Sequence, residues 1–197
     1  IALAVREAGI GTLRVPAEAG GPGGSIADVL DTIAVLSAGD PNVGHALRSH
    51  FNLLETLAAS PTTPFHDKVW RLALERRLFA AAHTERGTAR PGDVRTALTR
   101  TDTDWRLDGR KYYATGAAFA DFVTISATDP DGSLRRVFIP IDRTGVQVLD
   151  DWDGFGQRLT ASGGIVLDGV AVSDEEISSR PYAGEAGRHA STFRQLF

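Results

Sequence analysis

The sequence predicts an α+β protein: an N-terminal helical domain over residues 1–78, a mainly antiparallel β-barrel or sandwich domain over 79–178, and the beginning of a C-terminal helical bundle over 185–197. Three observations carry this expectation. Up to Leu78 the apolar residues recur about every 3.6 positions, the spacing that gathers them on one face of a helix. From Phe79 to Val172 the pattern shifts to alternation, the mark of half-buried strands, with turn formers between the runs. No helical stretch separates those runs, so the strands lack crossover helices and must pair mainly antiparallel. With 42% hydrophobic and 23% charged residues among 197, the composition suits an ordinary globular core.

In the helical domain, residues 1–9 read as a helix end closed by Gly9, and Gly11–Pro16 as a short extended piece. The run from Ala19 to Gly24 is too rich in Gly and Pro for regular structure, and it lacks the GxxxxGK[ST] pattern of a phosphate loop. Ser25 and Asp28 then form a capping box with Asp in place of Glu, ahead of the stripe Ile26, Val29, Leu30, Ile33 and Leu36. Asp40 caps the next helix, and Pro41 occupies a first-turn position where its missing N–H does no harm. Val43, Leu47, Phe51, Leu54 and Leu57 make its apolar face; His50 falls at the edge of that face, and His45 points the opposite way. Pro61 and Pro64 interrupt the chain before a third helix over Phe65–Leu78.

Strands are expected over residues 79–84, 94–99, 105–107, 111–115, 122–127, 134–139, 146–149 and 165–172. Trp105–Leu107 and Lys111–Tyr113 flank Asp108-Gly109, a dipeptide with easy access to positive φ, which predicts a two-residue hairpin. Its second arm leads into Thr115 and Gly116, so aromatic rings, a hydroxyl and bare backbone adjoin. Such a surface suits a flat heteroaromatic ligand.

Several function classes are excluded. The net charge is −4, with Lys and Arg scattered singly, so there is no basic stripe for nucleic acid. No apolar run approaches the ~20 residues needed to span a bilayer. Cys is absent, which removes disulfides and thiolate sites, and the five His show no close ligand spacing, so no metal is expected. A reducing cytoplasm is the default location. A chain beginning at Ile1, without Met and with a helix-like run at 190–197, is expected to be part of a longer one. No GxSxG elbow is present. Asp150, Asp151 and Asp153 read as a solvated loop. Two segments hold more chemistry: His83-Thr84-Glu85-Arg86-Gly87, and the run from Asp151 through Trp152 and Arg158 to Thr160, Ser162 and Gly163.

In this order and spacing these segments resemble the acyl-CoA dehydrogenase superfamily over nearly the whole chain. Ala82–Gly87 resembles that family's L-T-E-P-G strand end, which implies that His83 and Thr84 hold the pyrimidine edge of a flavin. Gly109–Gly116 resembles G-x-K-x-W-I-T-N, which assigns isoalloxazine contacts to Tyr113 and Thr115. Gly156-Gln157-Arg158 through Val172 resembles the G-x-R-x-S stretch and the strand after it, so Arg158 and Ser162 join the cofactor set; Ser173 replaces the usual proline. Arg86 for Pro, Gly116 for Asn, and no G-S-D at Thr88-Ala89-Arg90 depart from a plain dehydrogenase. The runs Tyr113–Asp121 and 151–163 are instead similar to the flavin-dependent monooxygenase branch, which includes dibenzothiophene monooxygenases and sulfur-acquisition oxidoreductases. In that branch His50 matches a helix histidine acting where O₂ reacts, Thr115 a hydroxyl at the flavin, and Trp152 a flavin-pocket tryptophan. Ala81 departs from the Asn common there.

The resemblance implies a flavin cofactor, FMN or FAD, and catalytic roles for His50 and Thr115. It implies a small organosulfur or nitrogen compound as substrate, a separate flavin reductase and a homotetramer. Two rivals stay open: an acyl-CoA dehydrogenase oxidising a thioester, with its base in the C-terminal bundle, and a non-catalytic module retaining the fold.

Overall fold

The computed structural model describes residues 2–90 and 92–179, and the chain divides between Leu78 and Phe79 into two compact units. In the first, α1 (Ala2–Glu7) is followed by α2 (Ile26–Gly39), α3 (Pro41–Ala58) and α4 (Pro64–Leu74). The caps are those the sequence predicts. Ser25 Oγ accepts from Asp28 N–H and Asp28 reaches back to Ser25 N–H, while Asp40 accepts from Asn42 N–H ahead of Pro41. Close packing of α2 on α3 uses Gly44, where a Cβ would lie 2.1 Å from Ser37 Oγ. Helix α3 is buried over most of its second half, through His50, Phe51, Leu53, Leu54 and Leu57. Buried Glu55 is ion-paired with Arg14.

Two local expectations are corrected here. Residues 10–12 form a 3-10 turn and not an extended piece, because Gly9 at φ 69° reverses the chain and Thr12 Oγ1 bonds back to Gly9 O at 2.8 Å. Helix α4 ends at Leu74, short of Leu78. Arg76 enters the left-handed region at φ 63°, and the N–H groups of Arg76 and Arg77 close onto Ala73 O (2.8 Å) and Leu72 O (3.0 Å). The Arg76 guanidinium then donates to Arg6 O at 2.9 Å, satisfying carbonyls at the end of α1.

The second unit holds one eight-stranded sheet: β1 (Phe79–Ala82), β2 (Ala97–Arg100), β3 (Trp105–Tyr112), β4 (Phe122–Thr128), β5 (Leu134–Pro140), β6 (Val146–Val148), β7 (Gly164–Val172) and β8 (Ile177–Ser179). The order is β6-β7-β3-β2-β4-β5-β8, with β1 beside β4. The sheet is mainly antiparallel, as the lack of crossover helices requires; β1 and a single bridge from β2 meet β4 in parallel. Strand β2 starts later than expected, because Val94 O accepts from Thr128 Oγ1 and the Arg95 and Thr96 N–H groups donate to Glu85. Strand β8 was not foreseen.

The expected hairpin at Asp108-Gly109 is absent. Residues 105–112 form one strand between β2 and β7, and Asp108 faces two residues of β7 at a bulge. Asp108 Oδ1 accepts from Gly169 N–H at 2.7 Å, holding that bulge. Gly109 is required because a Cβ there would lie 2.5 Å from Thr96 Oγ1. The core is contiguous, built from Ala80, Leu98, Leu107, Val123, Ile125, Val137, Ile139, Ile165, Val170 and their neighbours. The helix expected near 185 lies outside the described residues.

Candidate active site

The chain leaving β1 carries Thr84 to the end of β3, where its hydroxyl closes a clamp. Thr84 Oγ1 donates to Tyr112 O (2.6 Å) and accepts from Tyr113 N–H (3.0 Å), while Thr84 O accepts from Tyr112 N–H at 2.9 Å. The Tyr112-Tyr113 peptide is cis, and its carbonyl and its N–H both meet the Thr84 hydroxyl. Tyr113 is 49% exposed, an unusual state for a large aromatic residue. Trp152 stands edge-on to it at 5.8 Å between ring centres, anchored by its Nε1–H donating to Gln157 O at 2.9 Å. Gly154 makes room for that indole, since a Cβ there would lie 2.2 Å from the ring.

Beside this aromatic corner lies a row of hydroxyls. Thr115 Oγ1 and Ser162 Oγ are 2.8 Å apart, and Ser162 Oγ and Thr160 Oγ1 2.7 Å; Thr160 donates onward to Gln157 O at 2.9 Å. Thr160 and Ser162 are buried while Thr115 is half-buried, so the row runs from the interior to the surface. Ala114 N–H to Gly163 O (2.9 Å) and Gly116 N–H to Thr160 O (3.0 Å) fix its two strands of chain together. Gln157 (φ 51°) and Ala161 (φ 48°) both hold left-handed backbone, a conformation costly for residues with a Cβ and concentrated at functional sites. A cavity of about 560 Å³ opens here, lined among others by Ala117, Phe119, Trp152, Arg158, Leu159 and Ala161.

Behind Thr84 lies a buried ionic network. Lys111 Nζ donates to Glu85 Oε1 at 2.6 Å, with side-chain exposures of 0% and 5%. Thr96 N–H, Thr96 Oγ1 and Arg95 N–H complete the carboxylate's partners at 3.0, 2.8 and 2.9 Å. Burial alone would raise the Glu85 carboxyl, but the hydrogen bonds from Lys111, Thr96 and Arg95 outweigh it and hold it down to about 2. Burial lowers the Lys111 ammonium, with Glu85 opposing.

The structure therefore brings Thr84, Tyr113, Thr115, Trp152 and Ser162 together. Arg158 borders the cavity, exposed and only 3.6 Å from Asp153. The His83 ring is turned to β4 and β5, where Ser126 Oγ (3.0 Å) and Arg136 Nη1 (2.9 Å) meet its Nδ1. His50 lies in the helical unit, 1% exposed, with Nε2 2.7 Å from Gly11 O. A carbonyl can only accept, so the proton sits on Nε2. Sequence reading named Thr160 among the small hydroxyls of its segment without giving it a role, and it passed over Lys111 as a buried cation. Strand alternation held the signal for Lys111, which shares a face with Leu107.

Residues 80–170 of this chain match the family described as acyl-CoA dehydrogenase, middle domain. This stretch of the chain belongs to the acyl-CoA dehydrogenase middle-domain family. Among similar proteins, the FMN-bound crystal structure of TdsC, a dibenzothiophene monooxygenase of Paenibacillus sp. A11-2, superposes with a TM-score of 0.82 at 30% identity, covering 91% of this chain and 46% of that one. A probable FMNH2-dependent monooxygenase, SfnC, of Pseudomonas putida is 27% identical over 180 residues, 90% of this chain and 44% of that protein. The amino sugar nitrososynthase DnmZ of Streptomyces peucetius is 34% identical over 197 residues, 93% of this chain and 46% of that protein. The chain thus spans less than half the length of these relatives. The middle-domain match takes in the strand ends and loops that build the aromatic corner and the hydroxyl row.

Proposed function

We propose that the protein is a flavin-dependent monooxygenase that uses reduced flavin, with FMN favoured over FAD, and O₂ to oxygenate a small organosulfur or nitrogen compound. The observation that carries this reading is the half-exposed Tyr113 ring cornered by Trp152, next to a hydroxyl row that ends at Thr115. A flat heteroaromatic group fits such a corner, with one edge reaching a polarised hydroxyl. Support comes from the FMN-bound TdsC structure and from the FMNH2 dependence in the name of SfnC.

When bound, the flavin supplies the electrons for O₂ and transfers one oxygen atom, the cofactor's own chemistry. The protein's residues position and protect. Tyr113 and Trp152 would flank the ring and exclude water, Thr84 holds the Tyr113 backbone, and Thr115, whose proton goes to Ser162 as Ser162's goes to Thr160, would accept from an N–H at the ring edge. Backbone at His83 and Thr84 borders the pyrimidine side, and Arg158 offers its guanidinium to the cofactor's phosphate. His50 is the proton-handling residue of the helical unit. Its Nε2–H donates to Gly11 O, which fixes the orientation of the ring.

The same reading includes reduced flavin delivered by a separate reductase, a homotetramer and action in the cytoplasm. The deciding experiment supplies chemically reduced FMN and isotopically labelled O₂ with a panel of organosulfur, amino and acyl-CoA compounds. Labelled oxygen in a sulfur or nitrogen product is expected. Flavin reduction by acyl-CoA without O₂ would make the protein a dehydrogenase, and no flavin uptake would make it a non-catalytic module. Light scattering tests the tetramer, and dependence of turnover on an added flavin reductase tests the partner.

A further inference from the structure

We infer that the cleft between Arg86, Arg110 and Tyr112 binds a tetrahedral oxyanion, phosphate or a group like it, carried by the substrate. The inference rests on the flavin reading for the word substrate alone. The cleft has a volume of about 340 Å³ and is lined, among the described residues, by those three side chains. The Arg86 guanidinium sits over the Tyr112 ring, its carbon 3.4 Å from the ring centre and 5.4 Å from the centre of Tyr113. A guanidinium over a ring face keeps N–H groups at its edge, and those not engaged by the Tyr113 side chain can grip an oxyanion.

Arg110 is the second donor. It is 62% exposed and sits 3.5 Å from Asp151 Oδ2, too long for a good hydrogen bond and open to water, so the pair contributes little and exchanges readily. Asp151 cannot follow Arg110 into the cleft, because its Oδ1 is tied to Gly164 N–H at 2.7 Å. Glu85, next to Arg86 in the chain, has its charge matched by Lys111. The cleft therefore presents two guanidinium groups against one tethered carboxylate, an excess of positive charge at the edge of the aromatic corner. Flavin stacked on Tyr113 carries its own phosphate at the far end of the ribityl chain, away from that ring. An oxyanion held so close to the ring belongs to the molecule being oxidised, and a neutral heterocycle would leave both arginines idle.

The test is calorimetric titration of the protein with inorganic phosphate and with phenyl phosphate, alongside titrations with FMN and riboflavin. Both phosphates should bind, more weakly as salt rises. Arg86→Gln and Arg110→Gln should each weaken them about 10-fold, the loss of one charge-assisted donor. Asp151→Asn keeps the acceptor for Gly164 and removes the competing charge, so it should tighten binding about 3-fold; misfolding cannot produce a gain. FMN affinity should be unchanged in Arg110→Gln. The inference is overturned if neither phosphate binds or if all three variants bind like the parent. It is equally overturned if Arg110→Gln weakens FMN but not riboflavin, since the cleft would then hold the cofactor's phosphate. If the parent binds phosphate with these variant effects but takes up no flavin, the oxyanion site stands and the flavin reading falls.

Discussion

Thr115 can act on a ligand because its hydroxyl is oriented by a partner that is itself oriented: Ser162 Oγ lies 2.8 Å away and Thr160 2.7 Å beyond it. Thr115→Val keeps the shape and leaves Ser162 bonded to Thr160, so the fold should be unaffected. FMN affinity, read by fluorescence quenching, should fall about 5-fold, the worth of one hydrogen bond near 1 kcal/mol. His50 calls for a two-part measurement, because its ring already serves the helical unit through Gly11 O. His50→Phe strips a buried carbonyl of its donor and should lower stability by about 1–3 kcal/mol in urea unfolding whatever else the residue does. On the proposed role the folded variant also releases hydrogen peroxide in place of oxygenated product. An unchanged product-to-peroxide ratio would reduce His50 to packing. At this scale the sequence placed Tyr113, Thr115 and Ser162 in motifs, but it could not show that the Thr84 hydroxyl is taken up by the Tyr112-Tyr113 peptide.

Strand β3 is the element on which the site depends. One edge carries Lys111 to Glu85, its end carries Tyr113 and Thr115, and its middle is held by the bulge opposite Asp108. Lys111→Met fills the space but leaves the buried carboxylate without its cation, and should cost about 3 kcal/mol, measured as a lower urea midpoint with the same slope. The pair also sets an acid limit. Glu85 is held near 2, below the ordinary carboxylate range, so the folded state binds fewer protons there than the unfolded chain. Its stabilisation is fully present above about pH 5 and is lost as pH falls toward 2. Glu85→Gln should therefore flatten the decline of the urea midpoint over that window; an unchanged slope would show that other carboxylates govern it. Lys111 runs the other way, its lowered ammonium opposing folding at neutral pH and easing only in alkali. Asp108-Gly109 suited either a turn or a bulge. The bulge won because β7 and β2 offer pairing to both edges of an unbroken strand, which a hairpin would forfeit.

For the whole molecule, the core of the second unit is contiguous and, among the described residues, its buried members run from Ala80 to Val172, with Ile177 packed against them. Residues 79–179 expressed alone should accordingly fold, giving a β-type circular dichroism spectrum and one cooperative urea transition; a spectrum without that transition would mean that this core is insufficient. By itself the sequence determined the succession of helices and then strands, the caps at Ser25 and Asp40, and a sheet mainly antiparallel for want of crossover helices. Periodicity and capping are settled among residues a few positions apart, so a linear reading finds them. Only the tertiary structure decided that β1 runs parallel to β4, that Lys111 is buried against Glu85 across 26 positions, and that Thr115 meets Ser162 across 47. Those outcomes follow from competition among distant strands for backbone partners and for the interior, and no local pattern records which of them wins.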